Sequence, residues 1–401
     1  MHKRLLELEV QNFRSLRQAS IPLGPLNVLV GPNGAGKTNL LDVFRFLADI
    51  IQTDIEPALA ARGGFESTAF RGGSRTPGLI RIRLKATWTR HSSPGAPDEY
   101  ELEIKRRKRD ERFVLSRQES FQFKRVKGRG RRITIQGKEA QVVDMRQGGN
   151  EDVHSIGLQR FSSGLSTLPR LSDDAGGNEV AAVAEALASF RVFDVDVSSA
   201  RFPSRLSSVL PGTTLEENAS NLALFLFTLK RNDPDVWRRL VADARAVLPQ
   251  LEEIDFVFPS GAAREVIVVL HEAGLRVPTE LADASYGTIR LLGLLALLYD
   301  PNPPALTCIE EIDHGLHPQA LELLVERMRE ASEHTQFLIA THSPALADRL
   351  RPEELIICER DGDGASRIPA LTRDRLEAIV ERSEGLPLGE LWFSGVLGGG
   401  L

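Results

Sequence analysis

Gly31-Pro32-Asn33-Gly34-Ala35-Gly36-Lys37-Thr38 is the stretch that decides the fold. It has the spacing of a phosphate-binding loop, GxxxxGK[ST]. The apolar run Leu26–Val30 before it reads as a buried strand, and Leu40–Leu47 after it reads as a helix. Glycines let consecutive backbone N–H groups curl around a triphosphate. The following helix points its N-terminus at the same anion. Lys37 is placed to reach the β- and γ-phosphates, and the Thr38 hydroxyl to hold Mg²⁺. The expected nucleotide contacts are Asn33, Gly34, Ala35, Gly36, Lys37, Thr38 and Asn39.

Working outward, the rest of the chain supplies what such a loop needs. Leu306-Thr307-Cys308-Ile309-Glu310-Glu311 is an apolar strand ending in two carboxylates. In parallel sheets the carboxyl ends of the strands gather beside the phosphate site. Glu310 is expected to join Thr38 in the Mg²⁺ shell, and Glu311 to accept a proton from the attacking water. Ala340-Thr341-His342-Ser343-Pro344 follows another buried strand. His342 is thereby placed to meet the γ-phosphate or to orient the water. Ala284-Ser285-Tyr286-Gly287-Thr288 opens an apolar helix, where a serine and a helix N-terminus make an anion-binding cap or simply cap the helix.

These motifs, in this order, resemble the ABC-type ATPase heads of the RecF/SMC/Rad50 kind. The resemblance rests on Asn12-Phe13-Arg14-Ser15, the phosphate loop, Ser285-x-Gly287, the Glu310-Glu311 strand, Gly315-Leu316-His317-Pro318 and Thr341-His342-Ser343-Pro344. It is strongest to stand-alone RecF-type ATPases, OLD-like heads without the nuclease domain. Asn218-Ala219-Ser220-Asn221-Leu222 and Leu388–Gly395 also look like that group. The resemblance implies an α/β P-loop NTPase fold with a mixed or parallel sheet core, an antiparallel β lobe and a helical insert. It implies ATP and Mg²⁺ as ligands, with Arg14 among the nucleotide contacts. It also implies a head-to-tail homodimer, in which each site joins Lys37 and Glu311 of one subunit to Ser285 and Gly287 of the other. The expected output is DNA repair, DNA-end metabolism or anti-phage defence. The alternative is a slow ATP-gated scaffold that controls a partner effector such as a nuclease or toxin. Tyr286 stands where transporter-type heads carry Gly, and Glu310 where Asp is more widespread.

The expected division is 1–140 for the first part of the head, 141–250 for a mostly helical insert and 251–401 for the remainder. Within the first part, short alternating runs over 79–136 predict an antiparallel meander. Residues 146–177 read as a loop, and Glu253–Phe258 and Glu265–His271 as strands of the returning core. From Glu101 to Lys138 there are 14 Lys and Arg against five Asp and Glu, in a chain of net charge −5. That excess is either a solvated strand edge or a footprint for a DNA backbone. Cys308 and Cys358 lie in apolar runs and read as reduced thiols of a cytoplasmic protein. The longest apolar stretch, Leu291–Tyr299, is too short to span a bilayer. Arg360-Asp361-Gly362-Asp363-Gly364 reads as a hairpin turn, and the chain after Glu359 as too short for an OLD-type nuclease domain.

Overall fold

Leu26–Val30 and Gln336–Thr341 are buried at every position. Unbroken burial suits strands covered on both faces of a parallel sheet. The two strands pair in parallel, with Val30 beside Thr341. A computed structural model describes residues 4–109, 112–124, 130–145, 151–170, 177–206, 213–259, 264–383 and 385–398. In it the parallel sheet has five strands, in the order Arg191–Phe193, Leu306–Glu310, Gln336–Thr341, Leu26–Val30 and Leu355–Ile357. Every neighbouring pair is parallel. The carboxyl ends of the three central strands therefore share one edge with the phosphate loop.

Successive side chains of a strand face opposite ways, and this divides the interior into two cores. Leu29, Cys308, Leu338 and Ala340 point into one core. Val28, Val30, Ile309, Phe337 and Ile339 point into the other. The first core is filled by the helix Lys37–Gln52, through Leu40, Phe44 and Leu47, and by the antiparallel lobe. The second is filled by the helix Tyr286–Leu298, by Leu222–Asn232 and Pro234–Val247, and by Pro318–Ala331. Asn27 is the polar exception in its strand. Its amide donates to the carbonyls of Gly24 and Phe337, so its burial leaves no group unpaired.

The antiparallel lobe is an eight-stranded sheet. Leu5–Phe13 and Leu16–Pro22 form one edge, and six strands from Leu79–Ala86 to Glu151–Gly157 continue it. The alternation in Leu79–Ala86 is visible as strict alternation of burial. Phe113–Leu115 and Ser120–Phe123, two runs in the sequence, belong to one strand, Arg112–Phe123.

Three expectations need correction. The sheet does not stop near residue 140. Glu139–Met145 and Glu151–Gly157 pair along their length, so part of the expected 146–177 loop is strand. Glu151–Gly157 is the edge strand of the sheet, and its polar residues hide its alternation. Residues 146–150 and 171–176, including Asp173 and Asp174, lie outside the described residues. Second, the segment 141–250 is not a separate helical insert. The helix Gly177–Ala188 packs into the first core, and Arg191–Phe193 pairs with Leu306–Glu310. Third, Leu251–Val257 and Glu265–Glu272 are antiparallel partners in a separate small sheet with Ser204–Arg205 and Thr279–Glu280. The parallel core resumes only at Leu306. Strand-like periodicity alone does not tell which sheet a strand joins.

Much of the basic region is internally paired. Arg117 is buried against Glu119, and Arg131 is paired with Asp144 and Glu179. Lys105 meets Glu103, and Arg106 meets Glu66. Arg107, Lys108, Arg112 and Arg132 are exposed. Residues 125–129 of the Lys124–Arg132 cluster lie outside the described residues. Among the described residues no helix is long and apolar enough to cross a membrane.

The buried Arg117–Glu119 pair ties the chain after the lobe to the sheet. Arg117 Nε lies 3.3 Å from Glu119 and donates to the Ser162 carbonyl at 2.7 Å. Glu119 accepts from Ser163 Oγ at 3.0 Å and from the Gly164 amide at 3.0 Å. Burial pushes the Glu119 carboxyl up to about 7, against the pull of Arg117 and these donors. Removing one partner of a buried pair strands the other. Glu119→Ala should therefore lower unfolding stability by about 3–5 kcal/mol in a urea titration. A loss under about 1 kcal/mol, the range of an exposed pair, would contradict the tether.

Candidate functional site

The phosphate loop is held open by glycine where other residues do not fit. A Cβ on Gly31 would lie 2.3 Å from the Cys358 carbonyl oxygen. Gly36 caps the helix at φ 100°, and a Cβ there would lie 2.0 Å from Ser366 Oγ. Lys37 folds back on the loop: its Nζ donates to the carbonyls of Gly31 at 2.6 Å and Pro32 at 3.0 Å. Burial draws the Lys37 ammonium below its usual range, while nearby Glu311 and Asp313 favour the charge.

Glu310 ends its strand beside Thr38, whose Oγ1 donates to Glu310 Oε2 at 3.2 Å. Half-burial raises the Glu310 carboxyl above its usual range, and the Thr38 bond and Arg45 only partly offset this. A carboxylate so placed gains from a cation. The two side chains present oxygen donors only, which suits Mg²⁺ completed by phosphate and water rather than a dedicated protein cage. The open crown of glycines suits a phosphate. The residues present thus fit both groups.

Glu311 continues the ladder, its amide donating to the Ala340 carbonyl at 2.9 Å. It then turns to φ 47°, an uncommon conformation for a residue with a Cβ. Such strain costs on the order of 1–3 kcal/mol and is kept when the surroundings impose it. Here Arg290 does so. Its Nη2 donates to the Glu311 carbonyl at 2.7 Å and reaches the Glu310 carbonyl at 3.4 Å, while Nη1 donates to Val195 at 2.9 Å. Sequence reading missed Arg290. The available signal was a lone cation in the apolar helix Tyr286–Leu298, which is costly to bury unless partnered.

Asn33, Gly34, Gly36, Lys37, Thr38, Asn39, Glu310, Glu311 and His342 line one cavity of about 300 Å³. Ala35 is buried beneath it. Ser15, Thr341 and Arg360 also line it and were not foreseen. Asn39 Nδ2 donates to Ser15 Oγ at 2.7 Å, which fixes the first turn of the helix to the lobe. Thr341 Oγ1 is bonded to Asp313, two residues beyond Glu311. Arg14 does not join the cavity. Its Nε meets Asp42 at 3.2 Å and its Nη1 donates to the Ser67 carbonyl, so the Asp42 carboxylate holds it away.

Ser285 and Gly287 also lie outside this cavity. Ser285 Oγ accepts from the Thr288 amide at 3.1 Å as the helix N-cap. Ser285 is exposed, and Tyr286 beside it bonds His314 Nδ1 at 3.1 Å. The hairpin expected around Gly362 is present, with Glu359–Arg360 paired to Ser366–Arg367.

With this geometry in view, the chain can be set beside known proteins. Residues 26–348 match the sequence family described as "AAA domain, putative AbiEii toxin, Type IV TA system". Curated relatives match over short segments. An OLD nuclease of Thermus scotoductus is 47% identical over 55 residues, 14% of this chain and 10% of its own length. A DNA replication and repair protein RecF of Anaeromyxobacter dehalogenans is 39% identical over 85 residues, 20% of this chain and 22% of its own. The chain thus spans less than a quarter of either relative. Among solved structures, an Smc head bound to the C-winged helix domain of ScpA superposes with a TM-score of 0.54 at 14% identity, covering 94% of this chain and 99% of that one. An Smc head of Pyrococcus furiosus gives 0.53 at 13%, covering 95% and 100%. At that identity the likeness speaks to fold. The family match over 26–348 and the Smc-head architecture together place the chain in the AAA-domain family, as a P-loop ATPase head of the ABC type related to RecF and SMC.

Proposed function

We propose that this head binds ATP with Mg²⁺, hydrolyses it, and couples that cycle to head-to-tail dimerisation. The observation that supports it most is the meeting of Lys37, Thr38, Glu310, Glu311 and His342 in one cavity from three adjacent strand ends. The loop amides and Lys37 bind the β- and γ-phosphates. Thr38 and Glu310 would hold Mg²⁺, which supplies charge neutralisation at the phosphate oxygens. Glu311, exposed at the sheet edge, accepts the proton of the attacking water, and His342 orients that water toward the γ-phosphate. Water's oxygen bonds to phosphorus as the bond to the β–γ bridging oxygen breaks, giving ADP and phosphate.

The dimer is supported by what the site lacks in one subunit. Ser285, exposed, and Gly287, half-buried, sit at a helix N-terminus outside the cavity, positioned to cap the triphosphate of a second copy. Arg290 then links that helix to its own Glu311. DNA is the favoured downstream partner, on the relation to RecF and the exposed Arg107, Lys108, Arg112 and Arg132. The second reading, a slow switch that gates a partner nuclease or toxin, is favoured by the extensive internal pairing of the basic lobe. A cytoplasmic setting accords with the two buried, unbridged cysteines.

Lys37→Ala should weaken MgATP binding by about 100-fold in direct titration, because a charge-assisted contact to phosphate is lost. Unchanged affinity would remove the loop from nucleotide binding. Glu311→Gln should keep that affinity and cut kcat by about 10²–10⁴-fold, since the amide retains shape without basicity. Normal turnover would deny Glu311 the base role.

Ser285→Arg separates a shared site from a simple helix cap. A cap alone is worth about 1 kcal/mol of stability and should leave turnover intact. A shared site predicts a folded variant that binds ATP yet neither dimerises nor hydrolyses. Mixing it with Lys37→Ala should restore part of the activity, because one composite site is then whole. Full activity of Ser285→Arg as a monomer would exclude the shared site.

A further inference from the structure

The hairpin Glu359–Arg367 does more than turn the chain. Ser366 donates its amide to the Ser15 carbonyl at 2.8 Å, and the two hydroxyls lie 2.6 Å apart. Asn39 reaches the same Ser15 hydroxyl. Ser366 Oγ also occupies the space a Cβ on Gly36 would take. The hairpin is therefore clamped onto the phosphate loop, and its position relative to that loop is fixed by several independent contacts.

Three arginines surround this clamp. Arg17 pairs with Asp363 at 3.3 Å, and Arg367 with Glu359 at 3.7 Å. Arg360 has no ion pair among the described residues; its Nε donates to the Gly364 carbonyl at 3.2 Å. Side chains alternate along the short strand, so Arg360 faces away from Glu359. It is exposed and lines the phosphate cavity. Its Nη1 lies 3.7 Å from where a Cβ on Gly34 would stand, and Nη2 3.4 Å from the same point on Gly364. The guanidinium thus lies beside the crown of the loop, within van der Waals range of Gly34.

Resting on the nucleotide-site reading above, we propose that Arg360 is a second phosphate-binding cation of this site, contacting the non-bridging oxygens of the bound triphosphate from its own subunit. The cavity already holds two carboxylates, Glu310 and Glu311, and Lys37 as its interior cation. A triphosphate adds several negative charges, and a guanidinium at the rim with no ion pair among the described residues answers them. Lys37 reaches the phosphates from inside the loop. Arg360 reaches them from the hairpin side, opposite the strand that carries Glu310, because Leu355–Ile357 and Leu306–Glu310 lie on opposite sides of Leu26–Val30.

The test is a titration of MgATP and of Mg²⁺-tripolyphosphate against wild type, Arg360→Ala, Arg360→Lys and Lys37→Ala. Arg360 is exposed, so its variants should unfold at the wild-type temperature without nucleotide. Arg360→Ala should lose about 10- to 100-fold in affinity for both ligands, and Arg360→Lys should lose less, keeping charge without the fork. Loss for ATP but not for tripolyphosphate would mean a contact to base or ribose, and would overturn the assignment. Arg360→Ala within twofold of wild type, with Lys37→Ala severely impaired, would overturn this inference alone. Wild-type binding by Lys37→Ala would instead overturn the underlying nucleotide site.

Discussion

The ladder that sets Val30 beside Thr341, and Ala340 beside Glu310, fixes which residues meet at the carboxyl edge of the parallel sheet. Parallel pairing brings like ends of strands to one edge, so the loop after Val30, the acids after Ile309 and the histidine after Thr341 converge without any loop having to reach. A slip of one residue in that register would turn each strand's apolar set to the wrong core. The site is therefore as well fixed as the two cores, and both cores draw on residues far apart in sequence.

Strain and unmatched charge collect where the nucleotide is expected. Glu311 holds a positive φ that its own side chain disfavours, and Arg290, buried in the helix that begins at Ser285, grips the carbonyls that keep it there. Lys37 lies on the carbonyls of its own loop, and Glu310 is raised by burial. Lys37 and Glu310, both disfavoured by burial in their charged forms, are better matched with an anion and a cation in the cavity than without them. Arg290 thus joins the helix that begins at Ser285 to the turn at Glu311, a short physical route between the two.

Local sequence carried the loop, the paired acids, the strand before His342 and the cap at Ser285, because each is a short motif whose geometry its own residues impose. The meander was legible for the same reason: Leu79–Ala86 alternates without interruption. What was not legible depends on distant partners. Arg14 has the right motif for nucleotide, but Asp42, one helix away, takes its guanidinium. Arg360 looked like part of a turn, and only the Ser15–Ser366 clamp brings it over Gly34. The small sheet of Leu251–Val257 and Glu265–Glu272 has strand patterning that does not say which sheet it completes. The polar edge strand Glu151–Gly157 pairs with Glu139–Met145 along an exposed margin where its own alternation is weak.

Hydrogen–deuterium exchange of the wild-type chain, with and without saturating MgATP, tests the central claim most directly. The loop amides from Gly34 to Asn39 should slow markedly on adding MgATP, together with the segments around Glu311 and His342. The second core behind Tyr286–Leu298 should change little if it only frames the site. Unchanged exchange from Gly31 to Asn39 at saturating MgATP would contradict the claim that this sheet edge is an ATP site.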